Sequence, residues 1–234
     1  MSTLKGTLKI IYEDVKFSII LFWGITFALA IVWTIVGITY DLPNNTGGAI
    51  FGPLYGGIIV FCSMVFTSSF QSAIAFGSTR LQFLKVYCFV GLLFTVLSIM
   101  VLNLLYLLLM ILYDQGFSSA NFLHPGMLAS QEYSFFAYLW IDLMIGFTLI
   151  GITFLTTSIW YKYGFLTIVI IATVVTTAAT FLFMFSEVGS LIGGMFTKNS
   201  FTIFPSLGLI GIGCMFLSYI SMQHAPLSYK SKNG

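Results

Sequence analysis

Six uninterrupted apolar stretches run through this chain, each close to the length needed to cross a bilayer, and they leave little sequence for anything else. A transmembrane helix needs about 20 predominantly apolar residues. The stretches are about Phe17–Ile38, Ile50–Ser69, Leu84–Tyr113, Ser134–Trp160, Phe165–Phe185 and Phe201–Met222. They predict an all-α, polytopic membrane protein with six transmembrane helices. A membrane β-barrel would show segments of about 10 residues alternating in polarity, and these runs are continuous. The composition agrees. Of 234 residues, 59% are hydrophobic and 7% are charged, whereas a soluble domain carries about a quarter charged residues. With a mean hydropathy of +1.03, most of the surface must face lipid rather than water.

The basic residues predict an orientation. Lys5, Lys9, Lys16, Arg80, Lys85, Lys162, Lys230 and Lys232 fall in alternate gaps between the stretches, and only Lys198 falls on the other side. Under the positive-inside rule the first set is cytoplasmic. Both termini are then expected in the cytoplasm, with Asp41, Asp114, Glu132 and Glu187 outside. The third stretch is too long to cross upright and should tilt or project beyond the headgroups. The longest polar gaps, Asp114–Tyr133 and Glu187–Ser200, are too short to bury a core, so residues 1–234 read as a single transmembrane domain. Residues 1–16 lack the compact apolar core and small-residue cleavage site of a signal peptide. The net charge of +2 is too small to suggest nucleic acid as a partner. Cys62, Cys88 and Cys214 lie inside apolar runs without CxxC spacing and read as unreactive core thiols.

Two cytoplasmic elements stand out. Leu4, Leu8, Ile11 and Val15 recur at helical spacing, with Lys5, Lys9, Glu13 and Lys16 on another face. Residues 1–16 are therefore expected to form an amphipathic helix in the headgroup layer, its lysines toward anionic lipid and Lys9 paired with Glu13. The plainer reading is a solvated extension of the first span. The second element is the gap Phe70–Lys85. Gln71–Phe76 can form a short helix that Gly77 ends in a left-handed conformation. Thr79 with Gln82 is a capping-box pattern that restarts a helix into the third span. The product is a rigid elbow presenting Phe76 and Arg80, suited to docking on another protein. Alternatively, Arg80 and Lys85 serve only as topological anchors.

With an N-terminal interfacial helix, six spans and the elbow motif Phe76-Gly-Ser-Thr-Arg80, the chain resembles the small ABC-2-type permeases of bacterial ABC exporters. The closing segment Ser218–Leu227, where the sixth span runs into a short polar tail, resembles that family as well. Gln223 and His224 depart from it, since a basic residue is expected after the last span. The resemblance implies that the elbow, with Gln71, Phe76, Gly77, Ser78, Thr79 and Arg80, acts as a coupling helix in a groove of a separate ATPase subunit. It also implies location in the bacterial cytoplasmic membrane and a substrate such as an antimicrobial or toxin-like peptide, as in staphylococcal phenol-soluble modulin exporters. The chain has no GxxxxGK[ST] phosphate loop. ATP and Mg²⁺ would therefore be handled by the partner, and this chain is not itself expected to be an enzyme. A second permease copy or a sister permease would complete the pathway.

Inside the membrane, ionisable residues are costly and are candidates for function. Asp142 lies about two turns into the fourth span, sharing a helical face with Phe135, Tyr138, Gly146 and Leu149. It reads either as a substrate or proton site or, more simply, as a carboxylate that reaches the interface or pairs with a Tyr or Thr on a neighbouring span. Asn103 reads as an interhelical hydrogen bond. Thr173, Thr176, Thr177 and Thr180 form a stripe on the fifth span that could line a polar path or close helix contacts. Gly48, Gly52 and Gly56 could bring two backbones together, with Pro53 either bending the helix there or leaving its first turn as loop. Gly189, Gly193 and Gly194 lie in a stretch that, in the family, resembles short re-entrant helices and that by its residues alone reads equally as a loop. The two histidines, His124 and His224, are expected on opposite sides of the membrane, unable to share a metal. No catalytic motif is present, and Asn44-Asn-Thr46 is a chance match to a glycosylation acceptor. The leading expectation is the permease subunit of an ATP-driven exporter of an amphipathic or hydrophobic substrate. A self-sufficient secondary transporter or channel, a lipid-modifying enzyme, and a nonenzymatic immunity or assembly protein are the alternatives.

Overall fold

Most of the long helices start and stop within a few residues of the apolar runs, although the first begins well ahead of its run, because in lipid every backbone amide must be bonded within its own segment. The computed structural model describes residues 3–40, 42, 48–128, 132–185 and 200–223. Helix α1 spans Thr3–Thr39, α2 Gly52–Met64, α3 Phe70–Ala75, α4 Arg80–Asp114, α5 Phe135–Tyr163, α6 Phe165–Phe185 and α7 Ser200–Met222. There is no strand among the described residues. Five helices (α1, α4, α5, α6 and α7) are long and apolar enough to cross a membrane. The second apolar run differs. A 3-10 turn, Gly48–Phe51, leads into α2, and a π turn, Val65–Ser69, separates α2 from α3. Pro53 sits in the first turn of α2, where its missing amide leaves no bond unmade, so it starts the helix and does not bend it.

The N-terminal segment is helical, but no break sets it apart from the first span. Helix α1 is one rod of 37 residues, about 55 Å long at 1.5 Å per residue. That exceeds the ~30 Å hydrocarbon core, so one end must project. Its inward stripe is Thr7, Ile11, Val15 and Ser18, all buried, while Leu4 and Leu8 face outward. Lys5, Lys9 and Lys16 are exposed. Glu13 pairs with Lys16 rather than with Lys9. The amphipathic pattern was thus read with its stripe shifted: Ile11 and Val15 are claimed by protein packing, together with two hydroxyl residues.

Two apolar clusters hold the helices. At the elbow end, Phe61, Phe66, Phe70, Phe83, Tyr87, Phe154 and Tyr161 pack with Ile11 and Val15. Tyr87 stacks on Phe154 with centroids 4.1 Å apart, and Phe70 meets Phe83 edge-on at 5.1 Å. At the opposite end, Ala30, Phe51, Leu54, Leu102, Tyr106, Phe122 and Tyr138 form the second cluster. Helices α5 and α7 pack most closely. A Cβ on Gly151 would collide with the Gly211 backbone, and one on Gly211 would collide with the Phe147 carbonyl. The Ser158 and Ser218 hydroxyls bond each other, and Ser218 also donates to the Phe154 carbonyl at 3.0 Å. Small residues and hydroxyls are what membrane helices use to approach one another. The glycine series assigned to that role lies elsewhere: nothing comes within 4 Å of a Cβ on Gly52 or Gly56.

Candidate functional site

The elbow forms much as its residues dictate. Helix α3 ends at Ala75, one residue earlier than expected. Gly77 has φ +87°, a conformation that other residues adopt only with strain. The Gly77 amide donates to the Ile74 carbonyl and the Ser78 amide to that of Ala73, both at 3.0 Å, which is the Schellman arrangement. Thr79 then caps α4. Its hydroxyl accepts the Gln82 amide, and the Gln82 side chain accepts the Thr79 amide, each at 3.2 Å. Both helix ends are satisfied, so the corner is stiff. Phe76 stands 80% exposed on it, and Gln71 and Thr79 are also exposed. Arg80 is half-buried, and Gln71 hydrogen-bonds Tyr161. Ser78 turns inward and is buried, accepting a hydrogen bond from Thr7 at 2.9 Å.

Two further hydroxyls bind the elbow to α1. Ser68 and Ser69, in the π turn, donate to the Asp14 carboxylate at 2.8 and 2.6 Å. A cleft of about 720 Å³ lies between α1 and the elbow, bordered by Lys9, Glu13, Asp14, Ser72 and Phe76. Sequence reasoning missed Asp14. The only signal was an acidic residue among the lysines of the N-terminal segment.

Asp142 is fully buried at the other end of the bundle. Three donors converge on it. The Tyr55 hydroxyl of α2 lies 3.0 Å from Oδ1, the Asn103 amide of α4 lies 2.7 Å from Oδ2, and His124 Nε2 approaches Oδ2 at 3.2 Å. His124 comes from the connection between α4 and α5, which folds back into the bundle. The Gly126 amide donates to its Nδ1 at 2.8 Å, which places the proton of the uncharged ring on Nε2. The approach to Asp142 is off the N–H axis, so the contact is electrostatic and Nε2 makes no hydrogen bond. Phe51, Tyr106 and Tyr138 surround the imidazole, with ring centroids 4.8, 4.5 and 4.6 Å away. Asn103 Oδ1 and the Tyr133 hydroxyl are likewise buried without a partner. Burial also pushes the Tyr133 hydroxyl above its ordinary pKa. Asp142 thus bonds a Tyr on the neighbouring helix α2. It also meets a histidine from the connection between α4 and α5, which nothing in the spacing announced.

Thr173, Thr177 and Thr180 do not join Asp142. They lie exposed on α6, where Thr173, Thr176 and Thr180 bond carbonyls of their own helix at 2.7–2.8 Å. The three cysteines are free thiols. Among the described residues no three His, Cys, Asp or Glu side chains converge as metal ligands would. Asp41, Asn44-Asn-Thr46, Glu187, Gly189, Gly193, Gly194, Lys198, His224, Lys230, Lys232 and the rest of the C-terminal tail lie outside the described residues.

No family model, curated protein or solved structure matches the chain. Its own architecture defines the class: an all-helical protein whose apolar helices fit a multi-pass membrane protein.

Proposed function

We propose that the chain is the membrane-spanning subunit of an ATP-driven exporter of the ABC-2 type, moving an amphipathic or hydrophobic substrate such as a peptide out of a bacterial cell. Six apolar runs supply the pathway half, and a second copy or sister permease supplies the rest. ATP and Mg²⁺ bind on a separate ATPase. The elbow is the docking element, and both termini face the cytoplasm.

The observation that carries the reading is the elbow. A hinge that serves only to reverse the chain has no need of two complete caps and an exposed aromatic ring at its apex. Large aromatic side chains on rigid supports make the strongest anchors at protein interfaces. Asp14 and Thr7 fasten this support to α1, so that a push on Phe76 would be passed to α1 as well as, through Thr79, to α4. The lack of a phosphate loop in the sequence agrees with an external source of work. The test is co-expression with each phosphate-loop ATPase of the same cell that lacks membrane spans of its own. One of them should be recovered on the purified chain, and Phe76→Ala combined with Arg80→Glu should cut that recovery at least tenfold while leaving membrane insertion intact. Equal recovery by the double variant would show that docking lies elsewhere.

The buried Asp142–His124 contact favours a second reading, a proton-coupled carrier that needs no partner. Such carriers place titratable groups inside the bundle. Asp142→Asn would abolish transport by a proton-coupled carrier and would leave an ATP-driven one largely active.

A further inference from the structure

We propose that residues 117–128 form a displaceable gate over the end of the bundle opposite the elbow, with His124 as the latch and Asp142 as its catch. The proposal rests on the export reading only for what would pass the gate; the gate itself is a property of this chain.

The segment starts just after α4 and lies across the ends of four helices. Its first anchor is Ser119. The Ser119 amide donates to the Gly37 carbonyl at 2.8 Å, and its hydroxyl bridges the Tyr40 carbonyl at 2.7 Å and the Leu42 amide at 3.0 Å. Ala120 and Phe122 then turn inward and are buried. The second anchor is His124, set among Phe51, Tyr106 and Tyr138 and facing Asp142. Gly126 follows, packed so tightly on the Tyr138 ring that a Cβ would come within 2.6 Å of it.

The satisfaction of polar groups separates a gate from a fixed cap. Among the described residues, three buried side-chain polar atoms lack a hydrogen-bond partner: Asn103 Oδ1, His124 Nε2 and the Tyr133 hydroxyl. All belong to this seat, for Tyr133 packs on Tyr138 and Tyr106 with centroids 5.0 and 5.6 Å away. Buried polar groups are ordinarily bonded, and a cluster of exceptions calls for a reason. Lifting the segment would admit water to all three, so opening recovers bonds that closure withholds. Burial of Phe122 and Ala120, the Ser119 bonds and the His124–Asp142 attraction hold it down. Opposed contributions of this kind keep two positions close in free energy.

The test uses the purified full chain in lipid nanodiscs and a hydrophilic maleimide, with the native cysteines as the blank. A thiol is introduced at the buried gate position by Ala120→Cys, or by Phe122→Cys if that variant does not fold. A second protein carries Ala73→Cys, buried at the elbow end, to report global unfolding. The thiol at 120 should react faster than the thiol at 73. His124→Ala or Asp142→Asn should raise the gate rate at least tenfold, leave the rate at 73 unchanged, and give no further increase when combined. Gate rates that ignore both substitutions would overturn the proposal. So would rates at 120 and 73 that rise together, because the segment would then open only with the whole fold. The assay contains no nucleotide and no second protein, so failure of the export reading would not alter its result.

Discussion

Asp142 is a carboxylate placed where water does not reach, and its surroundings show how a membrane bundle tolerates one. Tyr55, Asn103 and His124 bring donors from α2, α4 and the connection before α5. Removing the acceptor leaves buried donors without partners, at roughly 1–3 kcal/mol for each group. Asp142→Ala should therefore lower unfolding stability in mild detergent by about 3 kcal/mol, near the lower end for breaking a buried polar pair. Tyr55→Phe should cost about 1 kcal/mol. The two effects should not add, because the hydroxyl has nothing to bond once the carboxylate is gone. Additive losses in denaturant titrations would mean that the Tyr55–Asp142 bond does not contribute. Asp142 and Asn103 were legible in the sequence because polar residues are conspicuous in an apolar run. His124 was not. It lies in a polar connection, and sequence carries no record of how deep such a connection dips into the bundle.

At the scale of elements, the elbow was the most legible part of the chain. Its instructions are local: a glycine where φ must be positive, a threonine three residues before a glutamine, and apolar residues on either side. Gly77→Ala should destabilise the corner by about 1 kcal/mol, the cost of placing a Cβ in the left-handed region. Thr79→Ala should cost about 1 kcal/mol through loss of the cap. Both should appear as faster amide exchange at residues 74–83, with little change at the far end of the bundle. Helix packing was much less legible. In lipid a helix may be apolar on every face, so no polar side marks what points outward. That is why the glycines of α2 drew notice while the contact that needs glycine lies between α5 and α7. Gly211→Leu has no room against the Phe147 carbonyl and should cost about 3 kcal/mol, at the upper end for overpacking. Gly56→Leu, in open space, should leave thermal unfolding in detergent unchanged. Equal losses from the two would contradict the assigned interface.

For the whole molecule, five of the six apolar runs lie in helices long and apolar enough to cross a membrane, because backbone satisfaction in lipid favours the helix. The exception is the second run, where a π turn interrupts the helix beside the Asp14 tether. Such turns often sit at functional positions. The bundle has two unlike ends. One is stiff, with a capped corner fastened to α1. The other is covered by an irregular segment over a seat with unpaired polar atoms. On the export reading proposed above, work would enter at the firm end and cargo would leave at the other. None of the side chains between residues 165 and 184 on α6 is buried among the described residues.

The central claim is that a separate ATPase engages this chain at the elbow apex. Crosslinking from that apex tests it most directly. A thiol introduced by Phe76→Cys and carrying a short photoreactive group should, in native membranes, give one adduct of the combined mass of this chain and a phosphate-loop ATPase. No adduct in any nucleotide state, or reaction of that thiol from the outer face of intact cells, would contradict the account.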